Sequence, residues 1–209
     1  MTPPTPGSAT ADTPLNLVDV LRQRARMQPE SVVCVYLGDG EDVKTEVSFG
    51  ELDRQARAIA ARLQGLGAGG ECAILLYPPG LEFLSAFFGC LYASVVAVPL
   101  PVPRQSGSTA QFLGIVGDLN ARTVMTTATA MARLRRMDLP ALEALVCLST
   151  EDTQAELARA WQAPAIASDA VAYLQYTSGS TSNRKGVMIR HANVMANLLR
   201  IAERFRHHD

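Results

Sequence analysis

The spacing of apolar positions changes period several times along the chain, and each change marks an element. Leu17, Val20, Leu21 and Ala25 recur at helical intervals behind Asn16, a residue suited to capping, and Pro29 closes the run. This predicts a first helix ending near Met27. The segments VVCVYL and VKTEVSF flank a Gly38-Asp39-Gly40 turn and predict a short hairpin. Ser48 and Glu51, three apart, have the spacing of a capping box, in which each side chain can satisfy the other residue's backbone N–H. A helix rich in Ala and Arg follows, and Gly65, Gly67, Gly69 and Gly70 stop it.

Cys72 to Tyr77 is apolar throughout and predicts a buried strand, with Pro78, Pro79 and Gly80 as its turn. From Phe83 to Pro103 no charge occurs, a length that could cross a bilayer. However, Pro99, Pro101 and Pro103 break its second half, and its first half has two faces. Leu84, Phe87, Phe88 and Leu91 form an apolar ridge, while Ser85, Ala86, Gly89, Cys90 and Ala93 form a small-residue face for close packing. The expectation is therefore a buried helix and a strand at 94–100 in a soluble layered fold, with no membrane span. Further on, helices are expected at about 109–119, 128–136 and 191–206. Strands are expected at 122–127, 144–149, 171–178 and 186–190, with a short helix and a loop between 150 and 169. Apolar strands alternating with helices predict an α/β fold with a mostly parallel layered sheet flanked by helices. Residues 15–209 are expected to form one unit, preceded by a flexible Pro/Thr/Ala/Ser leader at 1–14.

Composition narrows the function. With 48% hydrophobic and 19% charged residues there is ample material for a core, and a net charge of −1 gives no nucleic-acid footprint. The start of the chain lacks the basic and apolar regions of a secretory signal. Cys34, Cys72, Cys90 and Cys147 sit singly in apolar runs, with no CxxC, which predicts small buried hydrophobes in a reducing cytoplasm and no metal site.

Candidate chemistry concentrates in one stretch. The apolar strand ending at Tyr176 runs into Thr177, Ser178, Gly179, Ser180, Thr181 and Ser182, then Asn183, Arg184, Lys185 and Gly186. Five hydroxyl residues among six positions, a glycine that leaves the backbone open, and a mobile cation are the groups needed to hold a polyphosphate. A plain solvated turn is the simpler alternative. The stretch is not a Walker A loop: counted from Gly179, that pattern needs glycine at 184 and Ser or Thr at 186, where Arg184 and Gly186 stand.

The run Tyr176, Thr177, Ser178, Gly179, Ser180, Thr181, then Lys185, Gly186 and Val187, resembles the phosphate-loop signature of the adenylate-forming superfamily. Ser182 stands where that signature has glycine and Arg184 where it has proline. A serine forced to positive φ would cost on the order of 1 kcal/mol. Leu174-Gln175-Tyr176 before the loop, Gly186 to Asn193 after it, and Gly89 to Pro99 with the proline-rich turn ending in Arg104 are similar to fatty acyl-AMP ligases and polyketide synthase loading adenylation domains. The resemblance runs from about Leu15 to the end. It implies the N-terminal portion of the large domain of these enzymes, with an incomplete sheet, ATP and Mg²⁺ as cofactors, a fatty acid substrate and an acyl carrier protein partner. It implies that Thr177, Ser178, Gly179, Ser180, Thr181, Lys185 and Gly186 hold the ATP phosphates. No catalytic residue is identified, because the family's adenine contacts, acidic groups, hinge and catalytic lysine lie downstream of the loop, so the 209 residues alone are expected not to complete adenylation. The alternatives are a non-catalytic remnant of the fold and part of an acyl-CoA synthetase.

Overall fold

The computed structural model describes residues 15–38, 44–103, 106–137, 140–176 and 185–205. Helix α1 (Leu17–Met27) begins as expected, with the Asn16 side chain accepting from the Asp19 N–H at 3.0 Å. Strands β1 (Val32–Leu37) and β2 (Lys44–Ser48) form a separate antiparallel pair. Helix α2 (Phe49–Gly65) is capped by Ser48, whose hydroxyl accepts from the Glu51 N–H at 3.2 Å. The other half of the expected capping box takes a different course: the Glu51 carboxylate accepts from Arg54 and Gln55. Those donors lie one turn further along the same helix face.

The remaining strands build one six-stranded sheet in the order β6-β5-β3-β4-β7-β8. They are β3 (Cys72–Leu76), β4 (Val96–Pro99), β5 (Thr123–Thr126), β6 (Val146–Ser149), β7 (Val171–Tyr176) and β8 (Gly186–Arg190). Neighbours are parallel except β7 and β8, which are antiparallel. Helices α3 (Leu81–Tyr92), α4 (Ser106–Leu119), α5 (Ala128–Arg135), the short α6 (Pro140–Glu143) and α7 (His191–Phe205) connect or follow them, with a 3₁₀ turn at Ala155–Arg159. The composition of 140–143 carries no periodicity, and α6 was not foreseen.

Alternation along the strands divides the core into two layers. Ala73, Leu75, Ala97, Met125 and Ala172 face α1, α2 and α3. Ile74, Leu76, Val98 and Val124 face α4 and α5, represented by Phe112, Ile115 and Leu134. This is the expected three-layer α/β arrangement. The uncharged stretch 83–103 resolves into α3, a turn and β4, and among the described residues no helix is long and apolar enough to cross a membrane.

The small-residue face of α3 meets α2. A Cβ at Gly89 would lie 2.7 Å from the Ile59 Cβ, so only glycine admits this approach. Two arginines of α2 are engaged within the fold. Arg62 donates to the Ser149 carbonyl at 2.9 Å and to Thr153 Oγ1 at 3.3 Å. Arg57 pairs with Asp53 at 2.8 Å, and Asp53 also accepts from the buried Tyr92 hydroxyl at 2.8 Å. Burial, and then the Asp53 charge, push the Tyr92 phenol well above its ordinary range.

Candidate functional site

In an open parallel sheet, ligands gather outside the carboxyl ends of the strands, where successive connections leave on opposite faces. That condition is met at β3 and β4. The connection leaving β3 is α3, on the α1/α2 face, whereas the connection leaving β4 is α4, on the other. The crevice between their carboxyl ends is lined by prolines. Pro78 and Pro79 follow β3, and Pro101 follows β4; none has an N–H to leave unsatisfied at a strand end.

On the α4/α5 side of the crevice lies a cavity of about 630 Å³. Tyr77, Leu100, Val102, Phe112 and Ile115 supply apolar walls, and Thr127, Thr129 and Arg133 stand among its lining. On the α2/α3 side lies a smaller pocket of about 280 Å³, whose lining includes Glu51, Arg54, Gln55, Ser85, Thr150 and Glu151 beside Ala58 and Ile59. Tyr77 ties the two sides together: its hydroxyl donates to Thr150 Oγ1 at 3.2 Å, and burial pushes its phenol above the ordinary range. The N-terminus of α5 is satisfied twice over, by Thr127 Oγ1 accepting from Ala130 and by the Glu151 carboxylate accepting from the Ala128 N–H at 2.9 Å.

The hydroxyl-rich segment follows in sequence on the neighbouring strand, β7. β7 lies beside β4, so its carboxyl end opens toward the same edge of the sheet. Thr177, Ser178, Gly179, Ser180 and Thr181 lie outside the described residues, as do Ser182, Arg184 and Arg104. The two residues that flank the loop do not. Tyr176 and Gly186 face each other across the β7–β8 pair. A Cβ at Gly186 would fall 3.1 Å from Tyr176 Cζ, so the glycine makes room for the aromatic ring that closes the stem of the loop. Lys185 is exposed beside it. Tyr173, three residues before Tyr176, packs edge-on against Phe87 with ring centroids 5.5 Å apart, in keeping with a strand-packing role.

His191 directly follows the last residue of β8. It is 3% exposed, at the start of α7, with its N–H donating to the Ala170 carbonyl at 3.0 Å and its Nδ1 unpartnered. Burial lowers its pKa, against a smaller opposing pull from Asp19. Its burial follows from packing of α7 near α1, which no local pattern announces. The residues that sequence reasoning missed are the crevice liners Tyr77, Thr127 and Arg133. The proline clusters after two apolar strands were their only signal. Among the described residues no group of three or more His, Cys, Asp or Glu side chains is placed to hold a metal ion.

Comparison with known proteins matches the geometry. The family described as AMP-binding enzyme matches residues 21–209. The chain is 40% identical over 185 residues to the medium-chain-fatty-acid–acyl-carrier-protein ligase JamA of Moorena producens, covering 86% of this chain and 31% of that protein. It is 31% identical over 191 residues to a long-chain-fatty-acid–AMP ligase of Mycobacterium marinum, covering 89% of this chain and 30% of that one. Among solved structures, a fatty acyl-adenylate ligase from L. pneumophila in complex with acyl adenylate and pyrophosphate superposes with a TM-score of 0.82 at 35% identity, over 91% of this chain and 33% of that chain. The chain thus spans about a third of the length of the relatives it matches.

Proposed function

This chain belongs to the AMP-binding enzyme family, and from that premise we propose that it forms the N-terminal part of a fatty acyl-AMP ligase. The observation that carries the proposal is the Tyr176–Val187 run, which follows in sequence on β7, the strand beside β4. The identities to ligases acting on fatty acids, one of them named for an acyl carrier protein, support the substrate class.

In this reading the fatty acid carboxylate attacks the α-phosphorus of ATP in line, and pyrophosphate leaves. Positioning and charge neutralisation do most of the work in such a transfer. Thr177, Ser178, Ser180 and Thr181 hold the β- and γ-phosphates by hydroxyl and backbone donors. Gly179 lets the backbone approach, and Lys185 adds a positive charge. Gly186 keeps the stem closed under Tyr176. Mg²⁺ accompanies ATP and screens its phosphate charge. The acyl group then passes to the phosphopantetheine thiol of a carrier protein, which gives up its proton as AMP leaves. Residues 15–209 act as one unit behind a leader at 1–14, and the partners are a fatty acid and a carrier protein, not a nucleic acid, in keeping with a net charge of −1. Four unpaired cysteines are in keeping with a cytoplasmic setting.

The test is made in a full-length ligase carrying residues 15–209. Hydroxylamine trapping should reveal an ATP-dependent acyl-adenylate, and incubation with holo carrier protein or CoA should charge the carrier alone. Efficient acyl-CoA formation would assign the chain to an acyl-CoA synthetase, and absence of the adenylate would make it a non-catalytic relative.

A further inference from the structure

In the helical layer, α1, α2 and the 3₁₀ turn border a pocket of about 420 Å³. Four arginines line it: Arg22 and Arg26 from α1, Arg57 from α2 and Arg159 from the turn. The lining holds one carboxylate, Asp53, and one aromatic wall, the Trp161 indole. Four positive charges against one negative leave three in excess at a single cavity. Asp53 is already engaged, accepting from Tyr92 and pairing with Arg57.

Two of the guanidinium groups are held in place. Arg57 is fixed by Asp53. Arg22 lies over the Trp161 ring at 5.0 Å from its centroid, and the indole N–H is itself anchored on the Tyr92 carbonyl at 2.8 Å. Stacking on a ring orders a guanidinium without using its N–H donors, so Arg22 presents them to the cavity. No salt bridge holds Arg26 or Arg159 among the described residues. Like charges held together repel one another, and an anion that accepts several planar donors at once relieves that repulsion. A single carboxylate would leave two charges in excess, whereas an oligophosphate matches all three.

We propose that this arginine pocket is a second anion site, which binds an oligophosphate: free pyrophosphate or the phosphate tail of a nucleotide. Its lining shares no residue with the 177–186 segment, and it does not depend on the function assigned to that segment.

Trp161 is the protein's one tryptophan and forms the pocket wall, so its fluorescence reports occupancy directly. The 209-residue chain is titrated with pyrophosphate at constant ionic strength, alongside K185A and the double variant R26A/R159A. Both arginines of the double variant are exposed, and circular dichroism checks that it folds. The expected result is a saturable change in wild type and in K185A, weakened about tenfold or more in R26A/R159A. Titration with ATP separates the sources: a matching response admits the nucleotide tail, and silence assigns free pyrophosphate. An unchanged response in R26A/R159A, a wild-type signal that sulfate reproduces at equal concentration, or no wild-type response would each overturn the proposal.

Discussion

Replacing Gly89 with alanine separates two opposed effects whose sizes are known. Gly89 is buried inside α3, and in an open helix the exchange should stabilise by about 1 kcal/mol, because glycine is the poorer helix former. Here the new Cβ would stand 2.7 Å from the Cβ of Ile59, itself 5% exposed and branched at that atom, so it cannot swing aside. Overpacking of this kind costs about 1–3 kcal/mol. The net expectation runs from no change to a loss of about 2 kcal/mol, or up to roughly 4–8 °C in Tm for a domain of this size. The close approach itself is isolated by repeating the exchange in an Ile59→Ala background. That change alone costs about 2–5 kcal/mol but leaves room for the methyl group. There G89A should recover its full gain, giving a coupling of about 1–3 kcal/mol in a double-mutant cycle. Urea unfolding followed by circular dichroism provides the measurement. If G89A stabilises wild type by about 1 kcal/mol, as it would a loosely packed helix, the tight α2–α3 contact is refuted.

Other consequences are open to direct measurement. Lys185→Ala in a full-length ligase carrying this loop should raise the KM for ATP and lower turnover, as judged by ATP–pyrophosphate exchange; unchanged kinetics would remove Lys185 from the phosphate site. Burial lowers the pKa of His191, so the unfolded chain binds its proton more readily than the folded one. Stability should therefore fall as pH drops below about 6.5, and His191→Gln should flatten that part of a pH series of urea midpoints. Tyr92→Phe leaves the buried Asp53 carboxylate with Arg57 but without its hydroxyl donor, and should cost about 1.5–3 kcal/mol in the same unfolding assay.

What could be read from the sequence was what neighbours along the chain decide. The caps at Asn16 and Ser48, the small-residue face around Gly89 and the apolar strands all depend on residues within a few positions of one another. The make-up of the 177–186 loop was legible for the same reason. What required the folded chain was long-range. Nothing near Gly186 shows that β8 runs against β7, or that its missing side chain accommodates the Tyr176 ring. The burial of His191 depends on α1 being close to α7, and the β3/β4 crevice depends on strand order. Arg62 and Arg22 look like ordinary helix-surface cations until Ser149 and Trp161 are brought to them from about ninety and more positions away.

The engagement of Arg62 also makes the two borders of the sheet unequal. β6 is the last strand on one side, and a border strand with free carbonyls is a template on which another chain can add. Arg62 occupies the Ser149 carbonyl there, whereas β8, at the opposite border, carries exposed Val187 and Met188. Removing Arg62 would return the Ser149 carbonyl to the β6 border as a free acceptor for an incoming strand.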